Sequence, residues 1–177
     1  MRFNLPILSV AIFIAACAPP APPPPTPITA PVAPVTSVVR HSADAPFDTV
    51  RDDLMNAIAA KGFVIDNTAF IAKMLERTGK DVGSSKSIFA EGRGESFSFC
   101  SATISRKTME ADAHNIAFCP YTIVLYSVAA EPGKVYVAYR RPLLNEGSEA
   151  AKAALKEVET LLDDIVRDAL RLKDVAK

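Results

Sequence analysis

The strongest constraint on the fold of this chain is a proline-rich segment at residues 18–46, where ten of the 29 residues are proline. Proline fixes its φ angle and has no backbone N–H, so such a segment favours the polyproline II conformation over helix or sheet. At ~3.1 Å per residue, about 28 residues of this kind reach roughly 80 Å. We therefore interpret residues 17–46 as a tether and expect the globular domain to occupy residues 47–177.

The segment before the tether predicts a signal peptide at residues 1–16. Arg2 lies in a short polar start, and residues 5–14 form an apolar run. That run is roughly half of the ~20 residues that a membrane-spanning helix needs. It ends in Ile14-Ala15-Ala16-Cys17, which resembles the lipobox of bacterial lipoproteins.

The lipobox resemblance implies a lipid anchor on Cys17. A diacylglyceryl group would join the Cys17 thiol, cleavage would follow before Cys17, and its amine would then receive a further acyl chain such as palmitate. Several acyl chains hold a protein on a membrane more firmly than one. Ala18 in place of aspartate favours the outer membrane, facing the periplasm. Ordinary secretion with cleavage after Ala18 stays open, because Ala16-Cys17-Ala18 also fits a secretory cleavage site.

Beyond residue 46 the hydrophobic pattern alternates between helical and strand periods. The predicted elements are helix 47–61, strand 63–65, helix 69–77, strands 87–90 and 96–100, helix 101–112, strands 121–128 and 135–140, and helix 148–172. Gly92-Arg93-Gly94 predicts a turn between two of the strands. Strand 121–128 is apolar on both faces, which indicates a central position. The expected fold is α+β, a largely antiparallel sheet packed against helices.

The long C-terminal helix is predicted to be amphipathic. Its apolar stripe consists of Ala151, Leu155, Val158, Leu161, Leu162, Ile165 and Ala169, with charged residues opposite. This stripe can pack on the sheet of its own chain or against a second copy, which would make the protein a homodimer.

Several short motifs of the domain carry a family resemblance. They are Phe47 with Lys61-Gly62-Phe63, then Phe99-Cys100-Ser101-Ala102, Ala111-Asp112 and Phe118-Cys119-Pro120. Over residues 47–142 the chain resembles the bacterial domain of unknown function 302 family. That family often has a proline-cysteine pair where this chain has Cys119-Pro120. The resemblance implies a compact α+β domain, a dimer, and no established activity.

The inventory of chemical motifs is poor. Lysine plus arginine equals aspartate plus glutamate at 20 each, with no basic run, which argues against nucleic-acid binding. The chain has no nucleophile elbow, P-loop, dinucleotide fingerprint or zinc-protease motif, so we assign no cofactor and no catalytic residue. Of two histidines, His41 falls in the tether and only His114 in the domain. Arg140-Arg141-Pro142 is interpreted as a solvated strand end.

Cys100 and Cys119, which flank the predicted helix 101–112, are the main candidates for chemistry. A strand–helix–strand unit that folds back would bring their Cα atoms within about 7 Å, so a disulfide is one interpretation. Two separate thiols buried as small apolar side chains are the second. The third is a redox or soft-metal site with His114 and Asp112 in reach, where backbone amides of the helix stabilise the Cys100 thiolate. The spacing matches no known zinc pattern, so no metal is assigned.

These observations predict an envelope lipoprotein whose domain binds an unknown small ligand or envelope protein without catalysis. The alternative is a periplasmic thiol-redox or metal-handling protein that uses Cys100 and Cys119.

The first prediction concerns Cys17. Replacing Cys17 with serine removes the thiol that would carry the lipid, so the protein should leave the membrane fraction and change its electrophoretic mobility. Fractionation of cells that express each form measures this. Unchanged mobility and membrane retention would mean that lipidation does not anchor the chain.

Overall fold

A computed structural model of the chain describes residues 36–172. The predicted signal peptide, Cys17 and most of the tether lie outside the described residues, as do residues 173–177. None of the helices between residues 36 and 172 has the length and apolar character needed to cross a membrane.

Residues 36–172 form an antiparallel sheet with helices, as the sequence predicts. The strands are β1 (Val38–Asp44), β2 (Ile65–Ala69), β3 (Phe89–Phe99), β4 (Tyr121–Val128) and β5 (Lys134–Arg140), in the spatial order β1-β5-β4-β3-β2. The helices are α1 (Phe47–Ala60), α2 (Ile71–Thr78), α3 (Ala102–Ala111) and α4 (Glu149–Ala169), with a 3-10 helix at Ala113–Phe118. The α+β class and the central position of β4 are confirmed.

The core lies between one face of the sheet and helices α1 and α4. Phe97 pairs with Ile123, and Ile123 pairs with Tyr139, so three neighbouring strands present apolar side chains at one level of the same face. Leu54 and Ile58 of α1 are fully buried against this face. The antiparallel register is therefore set by apolar residues on three strands.

Helix α4 packs its apolar stripe inside its own chain. The Ser148 side chain caps the helix by accepting a hydrogen bond from the Ala151 backbone N–H at 3.1 Å. Of the seven residues of the predicted stripe, only Leu161 is half-buried and the others are buried. The interpretation that the stripe packs on the domain's own core is therefore the one that the structure shows.

Strand β1 lies in the segment that the sequence analysis assigned to the tether. It pairs with β5 along its whole length, from Val38 opposite Arg140 to Asp44 opposite Lys134. Inward and outward residues alternate, and Val39, His41 and Ala43 are the half-buried positions. An edge strand with only half-buried inward positions needs no long apolar run. Strand β1 therefore could not be recognised from the hydrophobic pattern of a proline-rich segment. The folded domain begins at residue 38 rather than 47.

Two other elements differ from prediction around β3. The sequence divided residues 87–100 into two strands with a turn at Gly92-Arg93-Gly94, but β3 is one strand of 11 residues. Its register shifts between Phe89 and Gly94, and Glu91 and Gly92 have positive φ angles of 51° and 68°. A bulge therefore absorbs the extra residues without ending the strand. The preceding strand, predicted at 63–65, is instead β2, which pairs with β3 from Ile65 to Ala69.

The close packing of the core generates a stability prediction. Leu125 on β4 is fully buried, whereas its neighbour Val124 points to the opposite face and is half-buried. Leu125→Ala should lower the free energy of unfolding by about 2–5 kcal/mol, because it removes apolar contacts and leaves a cavity. Val124→Ala is the matched control and should cost clearly less. Urea denaturation followed by circular dichroism compares them, and equal losses would contradict the one-sided core.

Candidate functional site

The structure brings the two cysteines of the domain together at one end of the sheet. Cys100 directly follows β3, and Cys119 precedes β4 by one residue, with the Cys119–Pro120 peptide bond in the cis form. Because β3 and β4 are antiparallel with Phe99 opposite Tyr121, both cysteines lie at the same strand ends. Cys119 is near enough to raise the pKa of the Cys100 thiol, and both are free thiols. We call Cys100 and Cys119 the thiol pair.

Two hydroxyl groups, those of Ser105 and Tyr121, lie near Cys119, which is the less exposed member of the thiol pair. The Ser105 Oγ atom lies 3.2 Å from the Cys119 Sγ atom and 3.2 Å from the Tyr121 hydroxyl. Ser105 is placed on the first turn of α3, which begins where the Ser101 side chain accepts a hydrogen bond from the Ile104 backbone N–H. A single hydroxyl on α3 therefore bridges Cys119 and Tyr121.

The environment of Cys100 makes its thiol less acidic. Partial burial raises the pKa of Cys100 above its usual value, and the neighbouring Cys119 and Asp66 raise it further. Only a hydrogen bond with the Tyr121 backbone acts in the opposite direction. Helix α3 begins at Ala102 and uses the Ser101 side chain as its cap, so Cys100 lies outside the helix. The pKa of Cys100 is raised, whereas the expected stabilisation of its thiolate by α3 amides would lower it.

The structure also bears on the interpretation of the cysteines as buried thiols and on the metal-site interpretation. Cys100 is exposed and Cys119 half-buried, so the two are not a pair of separately buried apolar side chains. His114 is exposed, and its backbone N–H donates to the Asp112 carboxylate at 2.9 Å, capping the 3-10 helix. Between residues 36 and 172 no group of three or more histidine, cysteine or acidic side chains is arranged to hold a metal ion.

A cleft of about 210 Å³ has Pro120 and Tyr121, the two residues that follow Cys119, in its wall. Its lining residues come from the 3-10 helix, β4, the end of β5 and α4: Ala117, Phe118, Pro120, Tyr121, Thr122, Arg140, Arg141, Pro142, Val158 and Leu162. Most of these side chains are apolar, and the two arginines supply positive charge. The wall of the cleft therefore contains both apolar and cationic residues.

Arg141 is held at the cleft by a buried carboxylate. Its Nη1 atom donates to Glu159, whose side chain is 7% exposed, while the side chain of Arg141 is 27% exposed. The interpretation of this basic pair as a solvated strand end is therefore wrong for Arg141. The sequence did carry a signal, because Glu159 lies four residues after Leu155 and three before Leu162, within the apolar stripe of α4. An acidic residue at such a position needs a partner.

The Nε atom of Arg141 is buried and has no hydrogen-bond partner. An unsatisfied buried polar group costs about 1–3 kcal/mol, and more when it is charged.

These elements define a small α+β domain with a thiol pair and a basic cleft at one end of a five-stranded antiparallel sheet. A family model described as "Domain of unknown function DUF302" matches residues 38–169, and the chain belongs to this family. The match runs from β1 through α4, so it extends beyond the 47–142 span that resemblance suggested. Comparison with curated proteins gives no match.

A solved structure shows the same fold. The crystal structure of the uncharacterized conserved protein DUF302 from Bacillus stearothermophilus is similar with a TM-score of 0.62 and 14% sequence identity. The similarity covers 76% of this chain and 99% of that one.

The raised pKa of Cys100 generates a prediction about reactivity. The thiolate is the reacting form, so iodoacetamide should alkylate Cys100 slowly at pH 8 and faster as the pH rises toward its pKa. Cys119→Ala removes a neighbour that raises this pKa and should speed the reaction at pH 8. Peptide mass spectrometry measures the rate. Ser87→Ala is the control, since this exposed serine hydrogen-bonds to the Phe89 carbonyl, and it should leave the Cys100 rate unchanged. A slower reaction in Cys119→Ala would contradict this account.

Proposed function

We propose that this chain is an envelope lipoprotein, anchored in the outer membrane through Cys17, whose domain carries a dithiol that closes into a disulfide by exchange. The observation that supports the exchange function is the position of Cys100 and Cys119 at the paired ends of β3 and β4, near enough for Cys119 to raise the pKa of Cys100. The periplasm is oxidising, so disulfides that can exchange with a dithiol are present there.

The proposed exchange consumes one partner disulfide. The Cys100 thiolate, on the exposed side chain, attacks one sulfur of the partner, whose S–S bond breaks and releases a thiolate. The Cys119 thiolate then attacks the Cys100 sulfur of the mixed disulfide and releases the second partner thiolate. The two protons lost by the cysteines pass to the two leaving thiolates. The domain is oxidised by two electrons and the partner disulfide is reduced to two thiols.

Ser105 supports the second step of this exchange. Its hydroxyl lies 3.2 Å from Cys119 Sγ and can donate a hydrogen bond to the thiolate as it forms. Charge-assisted hydrogen bonds of this kind are stronger than neutral ones. Ser105 is thus a positioning residue for the half-buried member of the pair.

The raised pKa of Cys100 favours a slowly reacting thiol over a rapid disulfide catalyst. Rapid disulfide catalysts keep one cysteine as a stable thiolate, which makes it a good leaving group. A less acidic thiol attacks slowly at neutral pH and leaves slowly once it is bonded. The proposed product is therefore a lasting disulfide, and closing a loop of about 20 residues stabilises the fold by roughly 3 kcal/mol.

The redox prediction uses the mature full chain, extracted from membranes in detergent. In a glutathione buffer made progressively more oxidising, it should lose two alkylatable thiols together and about 2 Da of mass. Its melting temperature should rise by about 10 °C, as roughly 3 kcal/mol implies for a domain of this size. Mass spectrometry and a thermal melt measure both effects.

Cys100→Ser is the control for this experiment. This variant has one free thiol in the domain, that of Cys119, and it can form only a mixed disulfide with glutathione. Its melting temperature should therefore not rise. Two alkylatable thiols that persist in wild type under the most oxidising buffer would refute the exchange function.

A further inference from the structure

Large apolar side chains are exposed in a cluster on α2 and on the loop that follows it. They are 39–75% exposed and comprise Phe70, Met74, Leu75, Val82 and Ile88. Scattered single apolar residues are ordinary on a protein surface, whereas a cluster of this kind marks a site of interaction with a protein or a membrane. We call the exposed side chains of residues 70–88 the α2 surface.

The packing of α2 explains why these side chains face solvent. Ala72 is 1% exposed and lies so close to Gly94 of β3 that a Cβ atom on Gly94 would be 3.1 Å from that of Ala72. Lys73, Met74 and Arg77 are exposed and lie at helical spacing on the side of α2 that faces away from β3. This side of the helix therefore presents both apolar and basic side chains.

Neighbouring residues extend the α2 surface at both ends of the helix. The Nζ atom of Lys73 lies 4.9 Å from the centroid of the Phe70 ring. The Val82 backbone N–H donates to the Thr78 carbonyl at 3.3 Å, so Val82 follows directly on the end of the helix. The loop then returns to α2, where one small hollow is lined in part by Leu75, Lys86 and Ile88.

The α2 surface is basic although the domain as a whole is not. Residues 70–88 contain four basic and two acidic side chains, whereas residues 36–172 contain 17 basic and 19 acidic ones. The four basic residues are Lys73, Arg77, Lys80 and Lys86, and none of them forms an ion pair within the described residues. At least nine basic side chains elsewhere in the domain are paired with carboxylates. The cations of the α2 surface are therefore available to an anionic partner.

The combination of charge and apolar surface selects the kind of partner. Nucleic acid or another polar polyanion would pair with the cations and leave Phe70, Met74 and Val82 in water. The interface of a bilayer with anionic phospholipid accepts both, because apolar side chains enter the headgroup region while lysine and arginine extend toward the phosphates. Each basic residue near such a surface strengthens binding about fivefold.

We propose that the α2 surface binds the interface of a membrane that contains anionic phospholipid. Phe70, Met74 and Val82 contact the boundary between headgroups and acyl chains, and the four basic side chains pair with lipid phosphates. This contact uses neither thiol, so it does not depend on the proposed exchange function. It is reversible and released by salt, so it does not replace the lipid anchor proposed on Cys17.

The experiment measures vesicle binding of the mature chain, residues 17–177, with Cys17→Ser, which lacks both the signal peptide and the lipid. In flotation it should bind vesicles of equimolar phosphatidylcholine and phosphatidylglycerol about tenfold or more tightly than vesicles of phosphatidylcholine alone. About 1 M sodium chloride, at which the Debye length is about 3 Å, should release it. With the anionic vesicles present, amide hydrogen exchange should slow most at residues 70–88.

Two variants of this chain separate the contribution of charge from that of apolar contact. Lys73→Gln with Arg77→Gln should weaken binding to the anionic vesicles about 25-fold, because two cations are lost. Phe70→Gln with Met74→Gln keeps those cations and should weaken binding about tenfold or more, because apolar surface is lost.

The matched control removes two exposed cations from another helix. Arg106→Gln with Lys107→Gln on α3 changes the net charge as much as the α2 charge variant does, and it should bind as the parent chain does. A thermal melt of each variant confirms that it is folded.

Several outcomes would overturn the membrane contact. Equal binding to neutral vesicles would show that the cations do not select the surface. Undiminished binding by the apolar variant would show a purely electrostatic contact, of the kind that any polyanion makes. An equal loss in the α3 control would show a response to net charge alone. Absence of binding by the parent chain, or slowed exchange located away from residues 70–88, would refute the lipid surface as the partner and point to a protein instead.

Discussion

Burial of one sheet face under α1 and α4 is the constraint on which the rest of this domain depends. Phe97 and Ile123 are fully buried across β3 and β4, and burying a side chain of this kind stabilises a fold by about 1.5–3 kcal/mol. A slip of one residue would turn these side chains to the other face, so the register is strongly specified. The same register places Phe99 opposite Tyr121, and this pairing brings the two thiols together at the strand ends.

The ion pair between Arg141 and Glu159 follows from this burial of the sheet face under α4. Glu159 lies on the face of α4 that the core buries, so its carboxylate loses water whether or not a partner is present. Breaking a buried ion pair by removing one member costs about 3–5 kcal/mol, whereas an exposed pair such as Arg106–Glu110 contributes about 0–1 kcal/mol. Arg141 is therefore held in place by the buried Glu159 carboxylate, in the wall of the cleft.

The sequence predicted the interior elements of this fold better than its edges. Strand β4 and helix α4 were predicted almost to the residue. The reason is that burial imposes apolar residues on both faces of β4 and on one stripe of α4. Strands β1 and β2 form the two edges of the sheet, where polar residues face solvent and no long apolar run is required. The bulge in β3 escaped prediction for a related reason, since positive φ at Glu91 and Gly92 is typical of turns as well.

The candidate sites, like the fold, could be predicted only in part from the sequence. The nearness of Cys100 and Cys119 follows from a local strand–helix–strand unit, so the sequence was sufficient to predict it. The direction of the Cys100 pKa shift was not predictable, because it depends on burial in the folded domain, on Cys119 and on Asp66, which is 34 positions away along the chain. Tyr121 shows why local patterns fail here: its hydroxyl contacts Ser105 beside the thiols, and it also lines the basic cleft. Only the tertiary fold makes this one residue part of both the surroundings of the thiol pair and the wall of the cleft.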